Sequence, residues 1–237
     1  MKRILPFLII IAVLGIALGS VWYLTKPGAT STVPGTPPPA SSGSQQPASA
    51  GQLGPARTGV AGAEPANTKG KADAPVHIEE FGDFECPPCG AFHPILEQME
   101  QEFGDKLRVT FRNYPLPNHQ HALRAASSAE AAGLQGKFWE MHKLIYEHQN
   151  EWKDQFDVRP IFEGYAKQIG LNIDRFNRDV GSPTVQQRIL QDGKRATSVG
   201  VKATPTVFIN GREVPFTHLP ADKLRVLIQQ ELDRAGK

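Results

Sequence analysis

Cys86 and Cys89 are the only cysteines of this 237-residue chain, and they stand two residues apart in the stretch EFGDFECPPCGAFHP. Such a pair can cycle between dithiol and disulfide, supply half of a metal site, or form an inert clip. A structural zinc needs four Cys or His ligands, and His119 and His121 lack the usual finger spacing, so we predict no metal. A disulfide across two residues closes a very small loop and stabilises little. These considerations favour a redox couple.

The elements around the pair give the two sulfurs different tasks. Residues 74–83 (APVHIEEFGD) predict a strand, and residues 87–104 predict a helix that begins with two prolines, which a first helical turn tolerates. Cys86 then lies at the helix N-terminus, where free N–H groups and the helix dipole stabilise a thiolate. We expect Cys86 to be the attacking and attacked sulfur, and Cys89, one turn further on, to resolve the mixed disulfide.

Glu80 lies six residues before Cys86 and is a candidate proton acceptor. Strand alternation puts it on the face of Val76 and Ile78, so its side chain is expected to point inward beneath the helix. A carboxyl group buried there would have a raised pKa and could exchange a proton with Cys89. The alternative is that the strand twists and Glu80 reaches solvent. The other acidic residues of this stretch are expected to be solvated: Glu79, Asp83 and Glu85.

The rest of the C-terminal part predicts a small sheet with flanking helices. Residues 106–116 alternate apolar and polar side chains and predict a second strand. Four or five helices follow, and then TPTVFINGREVPF predicts a β-hairpin around Asn210-Gly211. Residues 220–236 predict an amphipathic helix. The order is typical of an α/β fold that carries a helical insertion.

The N-terminal part has a different composition. Residues 1–26 contain an uncharged apolar run of 21 residues (4–24), which is long enough to cross a bilayer, after Lys2 and Arg3. We favour an uncleaved membrane anchor with the rest of the chain facing outward over a signal peptide that is removed. Residues 27–70 are rich in Pro, Gly, Ala and Ser and predict a disordered tether. The folded domain is then expected over 71–237.

Three motifs in this order resemble the DsbA-like branch of the thioredoxin superfamily, and most of all its membrane-anchored and secreted bacterial members. They are VHIEEFGDFECPPC, the insertion with QGKFWEMHKLIYEHQ, and the downstream ATPTVFINGREV. The resemblance covers residues 71–237. It implies a thioredoxin-like α/β fold with a helical insertion between the second strand and the strand that follows a cis-proline.

The resemblance also implies roles for individual residues. Cys86 and Cys89 match the nucleophilic and resolving cysteines, which form the redox disulfide, and Glu80 matches the acidic residue beneath the active site. Thr204 and Pro205 match the loop whose proline is cis and whose backbone pairs with an extended substrate. From the sequence alone, Pro205 could equally be an ordinary proline at the start of a strand.

One departure from the family concerns the residues between the cysteines, which we also expect to contact substrate. The best-known oxidase has a histidine there, whereas this chain has Pro87 and Pro88. Loss of that imidazole removes one contact that stabilises the nucleophilic thiolate, so the direction of electron flow stays open. His93 could replace it, although we expect His93 to be a surface residue.

The expected function is that of a cell-envelope thiol–disulfide oxidoreductase that oxidises cysteine pairs in exported proteins, without a cofactor. Its partners would be those substrates and a quinone-linked membrane protein that reoxidises it. The alternatives are a reductase supplied by a membrane electron donor and, from a different class, a redox-inactive binding module or holdase. The net charge of +2 is too small to indicate nucleic acid as a partner.

Overall fold

A five-stranded mixed sheet forms the centre of the protein, for which the computed structural model describes residues 53–236. The strand order is β1-β3-β2-β4-β5, with β2 and β3 parallel and the other neighbours antiparallel. The strands are β1 (Asn67–Lys69), β2 (Val76–Gly82), β3 (Leu107–Asn113), β4 (Thr206–Ile209) and β5 (Arg212–Glu213). The two central strands are almost entirely buried, because helices cover both faces of the sheet.

Eight α-helices surround the sheet in the described part of the chain. They are α1 (Pro87–Phe103), α2 (Ala122–Gly133), α3 (Phe138–Glu147), α4 (Gln149–Trp152), α5 (Arg159–Gln168), α6 (Ile173–Val180), α7 (Pro183–Ser198) and α8 (Ala221–Ala235). Helices α2 to α7 lie between β3 and β4 and form the helical insertion. The predicted α/β fold and the position of its insertion are confirmed.

Two apolar cores meet at the start of α1. One packs α1 and α8 against the sheet, through residues such as Leu96, Leu227 and Ile78. The other contains both cysteines and the apolar side chains of the insertion, including Trp152. The residues singled out for chemistry therefore lie where the thioredoxin-like part and the insertion join.

The predicted hairpin is present, and its turn has the expected backbone. Asn210 and Gly211 both have positive φ, 48° and 75°, as a two-residue hairpin turn requires. The insertion has six helices where four or five were predicted, because the stretch that begins KFWEM breaks after Glu147 and starts again at Gln149. Strand β1 was not predicted; it pairs antiparallel with β3.

Residues 53–70 pack with the folded part, upstream of residue 71, where the folded domain was expected to begin. Leu53 and Ala63 are buried, and arginine side chains from distant elements hold the segment by its backbone. Arg112 Nη1 donates to Ala63 O at 2.8 Å, and Arg195 Nη1 donates to Val60 O at 2.9 Å. We call residues 53–66 the N-terminal segment.

The predicted anchor (1–26) and the first part of the predicted tether (27–52) lie outside the described residues. Within residues 53–236, no helix combines the length and the apolar character needed to cross a bilayer.

Candidate active site

Cys86 is the N-cap residue of α1, and its backbone is still extended (φ −69°, ψ 119°). Pro87 and Pro88 form the exposed start of the helix, where the free N–H groups of other residues would otherwise lack partners. The Cys86 thiol donates to the carbonyl oxygen of Thr204 at 3.4 Å. Both cysteines are free thiols, and Cys89 is completely buried one turn behind Cys86.

The two thiols differ in acidity because of their surroundings. The pKa of Cys86 is lowered to about 6, chiefly by a hydrogen bond from the Cys89 thiol and further by the backbone N–H of Cys89, against the opposing effect of burial. The pKa of Cys89 is raised well above its ordinary value, first by burial and then by its contact with Cys86. The pair therefore has one thiolate near neutral pH, on the residue nearer the surface.

The loop before β4 closes over Cys86. The peptide bond between Thr204 and Pro205 is cis, as the resemblance implied, and both residues are buried. Thr204 O faces Cys86 Sγ, while Thr206 begins β4, which pairs with β2 through Phe81. The loop thus puts a backbone acceptor directly at the nucleophilic sulfur.

The insertion holds the active-site turn through one side chain that the sequence did not reveal. Gln149, at the start of α4, donates from Nε2 to Phe84 O at 2.7 Å and to Cys86 O at 2.9 Å. Gly90 leaves room for it, because a Cβ atom there would come within 2.6 Å of Gln149 Oε1. Only the long-range fold brings α4 to this place, so no local motif could have identified Gln149.

Glu80 is 2% exposed and lies on β2 beneath α1. Burial raises its pKa to about 8, although Lys69 opposes the shift. Its Oε1 atom has no hydrogen-bond partner among residues 53–236. The Glu80 charge in turn contributes to the raised pKa of Cys89. The carboxyl group is therefore neutral at pH 7 and close enough to affect the resolving thiol.

The expectation that Glu79 and Asp83 are solvated is wrong. Glu79 is buried because Arg112 and Arg195 both pair with its carboxylate, at 2.9 Å and 2.6 Å. Asp83 accepts hydrogen bonds from the backbone N–H groups of Glu85 and Leu116 and so shapes the turn before Cys86. Glu85 is half-buried and accepts from the N–H of His121.

His93 is buried as well, and not the surface residue that we expected. Its ring stacks on Tyr146 and meets His142 edge-on, with ring centroids 5.3 Å apart in both cases. The insertion covers this side of α1, so the face is apolar and aromatic where the isolated helix would expose it. His142 is 2% exposed and packs between Phe84 and Phe111.

The family is established by comparison with known sequences. The model of the family described as "Thioredoxin" (Thioredoxin_4) matches residues 63–230, and the chain belongs to this family. Curated relatives include the Na(+)/H(+) antiporters NhaA 1 of Mycolicibacterium vanbaalenii, 39% identical over 150 residues, and of Salinispora arenicola, 40% identical over 148 residues. These matches cover 61% and 62% of this chain but 23% and 22% of the relatives, so the chain spans under a quarter of their length.

Solved structures identify the branch of the fold as DsbA-like. BdbD from Bacillus subtilis in its oxidised form matches with a TM-score of 0.65 at 23% identity, over 75% of this chain and all of that one. The thiol–disulfide exchange protein α-DsbA2 from Wolbachia pipientis matches with a TM-score of 0.59 at 24% identity, over 70% of this chain and 86% of that one. These likenesses show that the chain shares the fold of the two proteins.

Proposed function

We propose that this protein is a thiol–disulfide oxidoreductase of the cell envelope that oxidises cysteine pairs in exported proteins. The observation that carries the proposal is the asymmetry of the pair: Cys86 has a pKa of about 6 beside a backbone acceptor, and Cys89 is a buried thiol with a raised pKa. A metal site or a structural clip has no need for such a difference.

The reaction follows from this asymmetry. A substrate thiolate attacks Cys86 Sγ of the oxidised pair, the Cys86–Cys89 bond breaks, and Cys89 leaves as a thiolate that takes a proton from Glu80. The second substrate thiolate attacks the substrate sulfur of the mixed disulfide and releases Cys86 as a thiolate. Two electrons pass from the substrate dithiol to the Cys86–Cys89 pair, and an extended substrate pairs with the backbone of Thr204 beside the exposed Pro87 and Pro88.

The direction of electron flow depends on which form of the pair is stabilised. A thiolate with a low pKa is a good leaving group and stabilises the reduced form, which makes the disulfide oxidising. The shift at Cys86 arises without a histidine between the cysteines, because the Cys89 thiol and backbone supply the hydrogen bonds. This supports oxidation over the alternative of a reductase supplied by a membrane electron donor.

The proposed location and partners rest on the N-terminal sequence and on the chemistry. The apolar run at residues 4–24, preceded by Lys2 and Arg3, supports attachment to the membrane with the catalytic domain on the outer side. Structural disulfides are made in that compartment, so the substrates would be exported proteins with cysteine pairs. A quinone-linked membrane protein would return the pair to the disulfide.

The test of function is a chain with Cys86→Ser and Cys89→Ser, compared with the unaltered chain in refolding of a reduced substrate and in insulin reduction. We expect both activities to be lost. Unchanged activities in the double variant would show a binding module or holdase and overturn the proposal.

The direction is tested by equilibrating the unaltered chain with glutathione. A reduction potential near about −120 mV supports oxidation, and one near about −270 mV supports reduction. A Cys89→Ala chain should retain substrates as mixed disulfides at Cys86, with a Cys86→Ala/Cys89→Ala chain as the control that retains none.

A further inference from the structure

A group of buried polar atoms lies behind Cys89. Eight buried side-chain polar atoms of residues 53–236 lack a hydrogen-bond partner, and four of them belong to one group: Glu80 Oε1, His93 Nε2, His142 Nε2 and Tyr146 Oη. Buried polar groups are normally paired, and internal water commonly bridges those that do not pair directly. Unpaired polar atoms of this kind beside a redox-active thiol are suited to exchange protons with it.

The residues that carry these atoms lie next to one another in a row. A Cβ atom on Gly82 would lie 3.0 Å from Tyr146 Oη, and Gly82 projects from the same face of β2 as Glu80. The hydroxyl group of Tyr146 therefore lies above the strand face that carries the Glu80 carboxyl. The Tyr146 ring in turn contacts His142, at 4.9 Å between ring centroids, and stacks on His93, at 5.3 Å.

The row ends at the surface. His93 Nε2 lies 3.8 Å from Glu97 Oε1, a separation that a small side-chain movement closes. Glu97 is partly exposed and accepts a hydrogen bond from Lys143 at 2.7 Å. The sequence of groups thus runs from the enclosed carboxyl of Glu80 to a carboxylate in contact with solvent.

We propose that Tyr146, His142 and His93 form a proton relay that connects the Cys89–Glu80 pair with Glu97 and the solvent. The proposal rests on the proposed dithiol chemistry. When the pair is oxidised, Glu80 first releases its own proton outward along the relay, and the carboxylate that results accepts the proton of the Cys89 thiol. When a substrate reduces the pair, a proton moves inward along the same groups and Glu80 returns it to the departing Cys89 thiolate.

The relay groups suit this task because they are neutral. Burial raises the pKa of Tyr146 and lowers the pKa of His142 and of His93, so each can accept and donate a proton in turn without holding a charge. Other titratable groups that act on the relay from the packed elements are Lys69 on β1, Glu97 and Glu100 on α1, Lys143 and Glu147 on α3, and Asp83, Cys86 and Cys89 at the active-site turn.

The experiment follows the reactions of the two thiols as two successive kinetic phases. Reduced full-length protein is mixed with 5,5′-dithiobis(2-nitrobenzoate): Cys86 thiolate attacks the reagent and releases a first thionitrobenzoate, and Cys89 thiolate then attacks Cys86 Sγ and releases a second. In Tyr146→Phe and in His93→Gln we expect an unchanged first phase and a second phase slower by about tenfold or more. The pH at which the second phase reaches half its maximal rate should move upward.

Matched controls are available in the insertion. Tyr165 also has a buried hydroxyl group without a partner among the described residues, and His148 is a partly exposed histidine, so Tyr165→Phe and His148→Gln should behave as the unaltered chain does. Second phases within twofold of the unaltered rate in both relay variants, or an equal slowing of both phases, would overturn the relay. If Tyr146→Phe fails to fold by circular dichroism, His93→Gln decides alone. A missing second phase in the unaltered protein would refute the proposed function itself.

Discussion

Cys86 and Cys89 carry the same thiol group, and the start of α1 makes them chemically different. Cys86 has the lowered pKa because its sulfur accepts the Cys89 hydrogen bonds, while Cys89 is enclosed by the aromatic side of the core. The cost of this arrangement is the burial of a third ionisable group, Glu80, which stays protonated at neutral pH. At the scale of single residues, the site therefore gains reactivity and loses stability.

Replacement of Glu80 by glutamine should stabilise the reduced protein above about pH 5. The pKa of Glu80 in the folded state is about 8, above its ordinary value of 4.5. Below about pH 4.5 the carboxyl is neutral in both the folded and the unfolded state, so its contribution to stability is fully present there. As pH rises from 4.5 to 8, the unfolded state loses a proton that the folded state keeps, and stability falls by about 1.4 kcal/mol per pH unit. Glu80→Gln abolishes this slope.

Urea unfolding at pH 4.5, 6 and 8 checks the prediction, with Glu102→Gln, an exposed glutamate on α1, as the control. We expect the difference between Glu80→Gln and the unaltered chain to be small at pH 4.5 and largest at pH 8. A difference that is independent of pH would show that folding does not raise the pKa of the Glu80 carboxyl.

At the scale of elements, the short helix α4 supports the active-site turn although it carries no reacting group. Gln149→Ala should lower the melting temperature by about 2–8 °C, because it leaves the buried Phe84 carbonyl without its donor, at a cost of about 1–3 kcal/mol. It should also slow alkylation of Cys86, whose backbone loses a second hydrogen bond. Gln155→Ala, which removes an exposed bond to Glu151 O, should change neither measurement.

The N-terminal segment is the second element with a structural task. A chain that begins at residue 53 should keep the full melting temperature of the folded part, whereas one that begins at residue 67 should melt at least about 5 °C lower. The physical reason is that Arg112, Arg188 and Arg195 would lose the carbonyl acceptors that residues 53–66 supply. Equal melting temperatures would show that this segment packs without stabilising the fold.

Local patterns predicted the elements that depend on neighbours in sequence, and missed those held by distant partners. The alternation in β2, the N-terminal position of Cys86 and the Asn210-Gly211 turn follow from adjacent residues. The N-terminal segment has few apolar residues, and its order comes from arginines more than 100 positions away, such as Arg195. Burial of His93 likewise depends on its contact with α3, and no pattern within α1 predicts that contact.

At the scale of the whole molecule, the reactive pair lies where the two cores meet, so its redox state should affect global stability. The reduced protein should become more stable than the oxidised protein as pH rises from about 6 to about 9, because the folded state then ionises Cys86 more readily than the unfolded state does. Below about pH 6 this contribution is lost.

Guanidinium unfolding of both redox forms at pH 5, 7 and 8.5 measures this difference. The Cys86→Ser/Cys89→Ser chain, treated with the same oxidant and reductant, should show none. An oxidised form that is more stable at every pH would mean that the disulfide acts as a structural bond.

The backbone of the N-terminal segment has a consequence for exchange with solvent. The Ala63 amide donates to Asp192 Oδ1 at 2.9 Å, and the amides of Gly54 and Arg57 donate to carbonyls of the β4–β5 hairpin. In deuterated buffer, these amides of a stretch without regular secondary structure should exchange on the timescale of the central strands, since opening them requires separating the segment from the sheet and from α7 together. A protease would then meet a segment that looks like a linker in composition but resists cleavage as a strand does.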